Sequence, residues 1–267
     1  MTRRNHDARR EILLTVPPGS VCQMKCSLEE PPFAILHETR DIVAVDKPPG
    51  VVVIPARDEP AGGSHRHRLE RARGERLWVV HRLDRDTSGV VVFARNAETH
   101  RELSLAFERH AVEKTYLALT RGTPTPPEGV IDVPLHSARR GKMRPALARE
   151  RGSLAAETKY LVQRVWMTRV GPVALVEAKP RTGRQHQIRV HLRWKDAPLL
   201  VDPLYGRAER ITAQDLGLSE NIPACERHTL HAAELVLPAR GGEPSLRLVA
   251  PLAPDLGRLV RALDALS

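Results

Sequence analysis

The residues whose types could do chemistry are concentrated in residues 81–89, which read His-Arg-Leu-Asp-Arg-Asp-Thr-Ser-Gly. The first carboxylate, Asp84, has arginines on both sides and lies just before the apolar run Val-Val-Val-Phe at residues 90–93. The apolar run predicts a buried strand, and the polar stretch predicts a loop or tight turn. A carboxylate this close to the core is costly unless a cation pairs with it or a substrate uses it. Asp84 is therefore a candidate catalytic carboxylate, and a solvated turn aspartate is the alternative.

Regular spacing elsewhere predicts the elements that surround this loop. Residues 113–119 alternate like a strand, which puts Tyr116 and Ala118 on one face. Asn96 is predicted to cap a helix that runs from residue 97 to about residue 110. Two β-rich runs at residues 35–46 and 51–54 flank a turn with the sequence Lys-Pro-Pro-Gly. Further elements are predicted at residues 65–73 (a basic helix) and at residues 157–160, 173–178 and 230–237 (strands).

The stretch at residues 180–192 combines the end of a strand with the start of a helix. Its sequence is Pro-Arg-Thr-Gly-Arg-Gln-His-Gln-Ile-Arg-Val-His-Leu. The spacing is helical from Gln185 onward, so Ile188 and Leu192 share a core-facing side. Arg189 then lies on a different side, next to Gln185 and His186.

These motifs resemble those of RluA-type RNA pseudouridine synthases. Residues 81–89 match the family signature His-Arg-Leu-Asp-x-x-Thr-Ser-Gly, a match too long to arise readily by chance. Residues 182–191 match Thr-Gly-Arg-x-His-Gln-Ile-Arg-x-His at every specified position, and residues 114–116 match Lys-x-Tyr. The resemblance implies an α+β fold, with a mixed, largely antiparallel sheet flanked by helices and a central active-site cleft. We expect an N-terminal extension at residues 1–30 and a catalytic domain at residues 31–267.

The family resemblance implies an isomerase that converts specific uridines in ribosomal or transfer RNA to pseudouridine. It assigns Asp84 as the catalytic carboxylate and Tyr116 as the residue that stacks on uracil and takes part in proton transfer. Arg189 would keep Asp84 ionised, with Arg184 as the reserve candidate. The target base must be flipped out of a helix or lie in a loop. Arg82 would fill the gap left by that base, or contact a phosphate.

The net charge of +10, from 42 Lys and Arg against 32 Asp and Glu, favours polyanionic partners. Nucleic acid is the first candidate and an anionic membrane the second. The basic stretch at residues 138–151 is interrupted by Gly141 and Pro145, so we interpret it as an exposed loop or hairpin tip. Contact with RNA phosphates and a merely solvated basic surface remain open for it. The predicted substrate-binding residues are Lys114, His186, Arg139, Arg140, Lys142 and Arg144, in addition to Arg82 and Arg184.

The predicted reaction needs neither a redox cofactor nor a metal, and we expect none. The sequence shows no dinucleotide fingerprint. The odd count of three cysteines is typical of a reducing compartment, and free thiols are favoured over a zinc site begun by Cys22 and Cys26. We see no secretory signal and no segment that would cross a bilayer. A cytoplasmic monomer without membrane contact is therefore expected.

Two alternatives compete with this interpretation. One is a catalytically inactive RNA-binding protein on the same fold, against which the joint presence of Asp84, Tyr116 and Arg189 argues. The other is a glycosidase or nuclease that works through Asp84 and Asp86, two carboxylates whose arginine-rich surroundings do not suggest an acid–base pair. The sequence also departs from the family pattern at Ile54 and at Val201, where relatives usually have histidine and glycine.

Overall fold

The computed structural model describes residues 34–55, 63–147, 150–219 and 222–266. The predicted extension at residues 1–30 and the two cysteines within it lie outside the described residues. The domain boundary and the state of those thiols therefore stay predictions. None of the helices in the described part of the chain combines the length and apolar composition that a bilayer crossing requires.

Twelve strands are present in the described residues. In chain order they are β1 (Ala34–Glu38), β2 (Ile42–Lys47), β3 (Trp78–Val79), β4 (Ser88–Ala94), β5 (Glu113–Arg121), β6 (Glu128–Asp132), β7 (Leu135–Ser137), β8 (Met143–Pro145), β9 (Glu157–Thr168), β10 (Gly171–Pro180), β11 (Leu230–Leu237) and β12 (Leu246–Val249). The helices are α1 (His65–Arg73), α2 (Ala97–Glu108), α3 (Gln187–Trp194), α4 (Ala213–Leu216) and α5 (Pro254–Asp264), with a 3-10 turn at Arg139–Gly141.

Ten of these strands form one sheet in the order β1-β2-β4-β11-β5-β10-β9-β6, with β12 paired to β11 and β3 to β4. The pairing of β4 with β11 is parallel, and the other pairings described in this sheet are antiparallel. Strands β7 and β8 form a separate antiparallel hairpin. The predicted α+β fold with a mixed, largely antiparallel sheet flanked by helices is confirmed.

Strand β4 is the buried strand that residues 90–93 predict, and all seven of its residues are buried. Its alternating side chains enter cores on opposite faces of the sheet. Val92 packs in the core that contains Leu103 of α2, whereas Phe93 packs in the core that contains Leu69 of α1. Since both faces are covered, the loop that precedes β4 starts from a fixed position in the middle of the sheet.

The register of three adjacent strands brings the predicted site residues together. Gly89 of β4 pairs with Ala232 of β11, and Ala232 pairs with Tyr116 of β5. Gly89 has φ +113°, and a Cβ atom there would lie 2.1 Å from the carbonyl oxygen of Ala232. Only glycine permits this approach, because any side chain would collide with backbone that cannot yield.

The structure differs from the sequence-based predictions in two segments. Residues 51–54 are not a strand, because their carbonyls accept hydrogen bonds from the Lys47 side chain and from the first amides of α1 instead of from a neighbouring strand. Helix α3 begins at Gln187 rather than Gln185, because His186 has the left-handed φ of 55°. The other predicted helices and strands are present within a few residues of their expected bounds, and the basic stretch forms the predicted hairpin tip.

The close approach of Gly89 to β11 predicts that alanine destabilises the protein more at Gly89 than at another glycine with a positive φ. Gly89→Ala should lower the free energy of unfolding well beyond the ~1–2 kcal/mol typical of a left-handed non-glycine residue. Gly74→Ala is the matched control, since Gly74 also has a positive φ but no atom within 4 Å of the added Cβ. Chemical denaturation of both variants measures the difference. Equal losses would contradict the packing argument.

Candidate active site

The loop that carries Asp84 is held at several points by partners far away in the sequence. Thr87 Oγ1 lies 2.7 Å from His228 Nε2, and Ser88 Oγ lies 2.9 Å from His231 Nδ1. His81 accepts a hydrogen bond from the Val92 amide through Nε2 and stacks on the Phe107 ring. Burial lowers the pKa of His81 to about 3, so this imidazole is neutral. His81 therefore anchors the loop to β4 and α2.

The Lys47 side chain also holds the loop that carries Asp84. This side chain is fully buried, and Nζ donates to the carbonyl oxygens of Pro48, Val51 and Arg85, each at 2.8 Å. Burial lowers the pKa of Lys47 to about 7, against the attraction of Asp86 and Asp84. The Lys-Pro-Pro-Gly motif predicts a turn, but it predicts no role for its lysine. The three carbonyl contacts show that Lys47 joins this turn to the loop of Asp84.

Asp84 makes its charge pair with Arg189, the first of the two arginines that the sequence analysis considered. Arg189 Nη1 lies 2.9 Å from Asp84 Oδ2, and the arginine side chain is only 6% exposed. Arg184, the reserve candidate, instead donates through Nε to the carbonyl of Ala155. Helix α3 places Arg189 on the side facing the loop, as its spacing indicates. The Asp84 carboxylate is thereby held beside a cation that cannot lose its proton.

Asp202 holds Arg189 in place, and the sequence analysis assigned it no function. Its two carboxylate oxygens accept from Arg189 Nε and Nη2, each at 2.8 Å, which leaves Nη1 for Asp84. Burial acts to lower the pKa of Arg189, but the bonds to Asp202 outweigh it and raise that pKa. Burial raises the pKa of Asp202, and the Arg189 bonds bring it below its usual value. Residues 202–206 read Asp-Pro-Leu-Tyr-Gly and resemble the Asp-x-x-Tyr-Gly segment of the family, which is the signal that could have identified Asp202.

Tyr116 lies beside Asp84 and lines a narrow cavity of about 100 Å³. Burial, with a contribution from the Asp84 charge, raises the pKa of Tyr116, so the phenol keeps its proton. Lys114 lines the same cavity and donates to the carbonyl of Thr182 at 3.2 Å. Burial lowers the pKa of Lys114 to about 8. An aromatic ring, a carboxylate and cations therefore line the same cavity.

A second, wider cavity of about 390 Å³ borders the first, and both include Asp84 and Arg189 in their walls. The exposed Arg82 also lines both cavities, at the entrance to the site. His186 lies between them, with Nε2 3.8 Å from Asp84 Oδ2 and Nδ1 2.7 Å from the Tyr205 hydroxyl. Ile54, which departs from the family pattern, lines the wider cavity only. The described residues thus form a cleft around Asp84.

The basic hairpin of β7 and β8 adjoins this cleft, but its four cations are not equivalent. Arg139 and Arg140 are exposed at the tip, with no ion pair to a described residue. Lys142 donates to the carbonyl of Leu204, and Arg144 makes a two-pronged ion pair with Glu150. Two of the four predicted substrate-binding residues of the hairpin are therefore already engaged within the protein.

Comparison with known proteins agrees with the class of fold described above. Residues 41–194 match the family model for RNA pseudouridylate synthase. Ribosomal large subunit pseudouridine synthase D of Xanthomonas campestris is 34% identical over 90% of this chain and 72% of its own length. The dual-specificity RNA pseudouridine synthase RluA of Salmonella typhi is 35% identical over 69% of this chain and 82% of its own.

A solved structure supports the same assignment at the level of the fold. Human RNA pseudouridylate synthase domain containing 4 superposes with a TM-score of 0.67 and 31% identity, over 87% of this chain and 92% of that one. The chain belongs to the RluA-type family of RNA pseudouridine synthases. It is therefore an isomerase that acts on RNA, as the resemblance in its motifs predicts.

The ion pair of Asp202 with Arg189 predicts that loss of the Asp202 charge lowers the catalytic rate without loss of RNA binding. Asp202→Asn removes the negative charge that fixes the Arg189 guanidinium, so the contact of Nη1 with Asp84 becomes less well ordered. We expect kcat to fall by about 10²-fold, as it does when a reacting group is misplaced. Asp264→Asn is the matched control, because Asp264 pairs with Arg164 at the surface. Single-turnover kinetics with saturating RNA measures the effect. A normal rate in Asp202→Asn would contradict this role.

Proposed function

We propose that this enzyme converts specific uridines in structured ribosomal or transfer RNA to pseudouridine, with Asp84 as the reacting carboxylate on a flipped-out base. The observation that carries the proposal is the ion pair between Asp84 and Arg189, 2.9 Å long, in the wall of a cavity that Tyr116 also lines. The name of the Xanthomonas relative supports ribosomal RNA as a target, and the name of the Salmonella relative supports an enzyme that can act on two kinds of RNA site.

The proposed reaction breaks the bond between C1′ of the ribose and N1 of uracil, and forms a bond between C1′ and C5. The C5 proton is lost and N1 gains a proton, so the reaction is an isomerisation. Arg189 holds the Asp84 carboxylate in place through Nη1, where it can act as nucleophile or base. Tyr116 remains a neutral phenol, which offers a ring face to uracil and a proton to its polar edge.

The position of Asp84 supports base flipping. Asp84 lines a cavity together with Tyr116 and Arg189, and a base stacked inside a duplex cannot reach a carboxylate placed there. Arg82 lies exposed at the entrance, where it would occupy the gap in the RNA or bind a phosphate beside it. Lys114, Arg184 and His186 line the cavity and would contact the nucleotide.

The extent of the sheet supports a catalytic unit that includes residues 31–267. The family match ends at residue 194, but β11 carries the residue paired with Gly89, and α5 packs in a core shared with β5 and β10. The C-terminal elements therefore complete the sheet on which Asp84 depends, and we include them in the catalytic domain.

Asp84→Asn should abolish isomerisation while RNA binding is largely retained. The amide cannot serve as nucleophile or base, whereas the arginines that bind phosphates are unchanged. Tritium release from 5-tritiated uridine in RNA reports the activity, and pseudouridine mapping of ribosomal and transfer RNA from cells that carry only the variant identifies the target positions. Asp86→Asn is the control, and a greater loss in that variant would remove Asp84 from the role proposed here.

The exposed tip of the hairpin predicts a specific change in the salt dependence of RNA binding. Each lost phosphate contact lowers the slope of log affinity against log salt by about 0.7–0.9. The double variant Arg139→Ala/Arg140→Ala should therefore lower the slope by about 1.4–1.8, for target and non-target RNA alike. Arg144→Ala should change it less than one tip arginine does, because Glu150 already holds that guanidinium. An unchanged slope in the double variant would show that the tip is only a solvated basic surface.

A further inference from the structure

The hydroxyl of Tyr205 connects the basic hairpin to the residues around Asp84. Its oxygen lies 2.7 Å from the Met143 amide nitrogen of β8 and 2.7 Å from His186 Nδ1. The Tyr205 ring is 5% exposed, contacts the His186 ring edge-on at 5.4 Å, and lies 5.0 Å below the Arg189 guanidinium. This phenol is thus enclosed, with two hydrogen-bond partners among the described residues.

The direction of these two hydrogen bonds follows from the protons available. The Met143 amide can only donate, so the Tyr205 oxygen accepts there. Burial raises the pKa of Tyr205, so the phenol keeps its own proton. Among the described residues, His186 Nδ1 is the remaining partner for that proton. If Nδ1 carried a proton instead, the phenolic proton would be buried without an acceptor, which is unfavourable.

Since Nδ1 accepts, the single proton of a neutral His186 ring is on Nε2. Nε2 faces Asp84 Oδ2 at 3.8 Å, a separation that a slight closure on substrate or one bridging water converts to a hydrogen bond. Oδ2 is also the oxygen that Arg189 contacts. The other oxygen, Oδ1, has no donor among the described residues and remains for the reaction.

The surroundings keep His186 neutral. Burial lowers the pKa of His186, and the charge of Arg189 acts in the same direction. The charged groups that face the ring are Asp84, Arg189, Asp202 and Arg82. A neutral donor can orient the Asp84 carboxylate without competing with Arg189 for its charge.

The backbone at His186 is strained in a way that serves this placement. His186 has a φ of 55°, a left-handed conformation that is strained for a non-glycine residue. It precedes α3 but does not cap the helix with its side chain. The turn is held by Gln187 Oε1, which accepts from Thr182 Oγ1 and from the Arg184 amide. The His186 side chain is therefore directed to Tyr205 and Asp84.

We propose that Tyr205 is a positioning residue that fixes His186 in the Nε2–H tautomer, so that His186 presents a neutral N–H donor to Oδ2 of Asp84. The catalytic meaning of this arrangement rests on the role proposed above for Asp84. Because the Met143 amide orients the phenol, the hairpin that we place on RNA phosphates is also part of the support for His186.

Nitrogen-15 NMR of the histidine rings tests the tautomer directly, with His186→Gln used to assign the His186 signals. In the wild-type chain, Nδ1 of His186 should appear unprotonated and Nε2 protonated. Tyr205→Phe should remove this preference and raise the pKa of His186, because the phenolic proton no longer stabilises the neutral ring. Tyr160→Phe is the matched control, since the Tyr160 hydroxyl donates to the carbonyl of Pro126.

Kinetics then separates positioning from a purely structural role. Tyr205→Phe should lower kcat at least about tenfold with little change in KM, and should move the acid limb of the kcat profile to higher pH. The control should leave both unchanged. A protonated Nδ1 in the wild type would overturn the proposal, and so would a Tyr205→Phe variant with normal kcat. The tautomer is measured without turnover, so it is independent of whether Asp84→Asn abolishes activity.

Discussion

The charge of Asp84 lies at the edge of the core, where it must be stabilised by a paired cation. Arg189 meets this requirement because Asp202, itself 1% exposed, holds two of its nitrogens and directs the third to Asp84. Removing one partner from a buried pair of this kind typically costs 3–5 kcal/mol, whereas the intact network is stable. Asp202 also accepts from the amides of Leu204 and Tyr205, so the same carboxylate shapes the turn that supports His186.

The register of the strands places this network of charged side chains next to Tyr116. The close contact of Gly89 with Ala232 brings β4 against β11, and the next pairing brings Tyr116 into the same row. Lys47 and the buried histidines then secure the loop of Asp84 through backbone and hydroxyl groups. The substrate-facing residues are therefore few, and most of the polar groups near them serve to position the others.

The two departures from the family pattern have different consequences. Val201 is fully buried and pairs with Thr229, while Asp202 directly after it keeps its contacts, so the departure leaves the turn able to hold Arg189. Ile54 adds an apolar side chain to the wall of the wider cavity. In that position it changes the surface beside the site without touching the ion network.

The family, the buried strand β4, the cap of α2 and the side of α3 on which Arg189 lies could all be predicted from the sequence, because periodicity and motif spacing report local geometry and burial. The sequence by itself could not predict that residues 51–54 lie outside the sheet, nor which groups Lys47, Asp202 and Tyr205 contact around the site. Tertiary structure decided these points. The partner that satisfies a buried charge or hydroxyl is set by packing between distant segments, such as Met143 with Tyr205 and Lys47 with Arg85, and no local pattern encodes that choice.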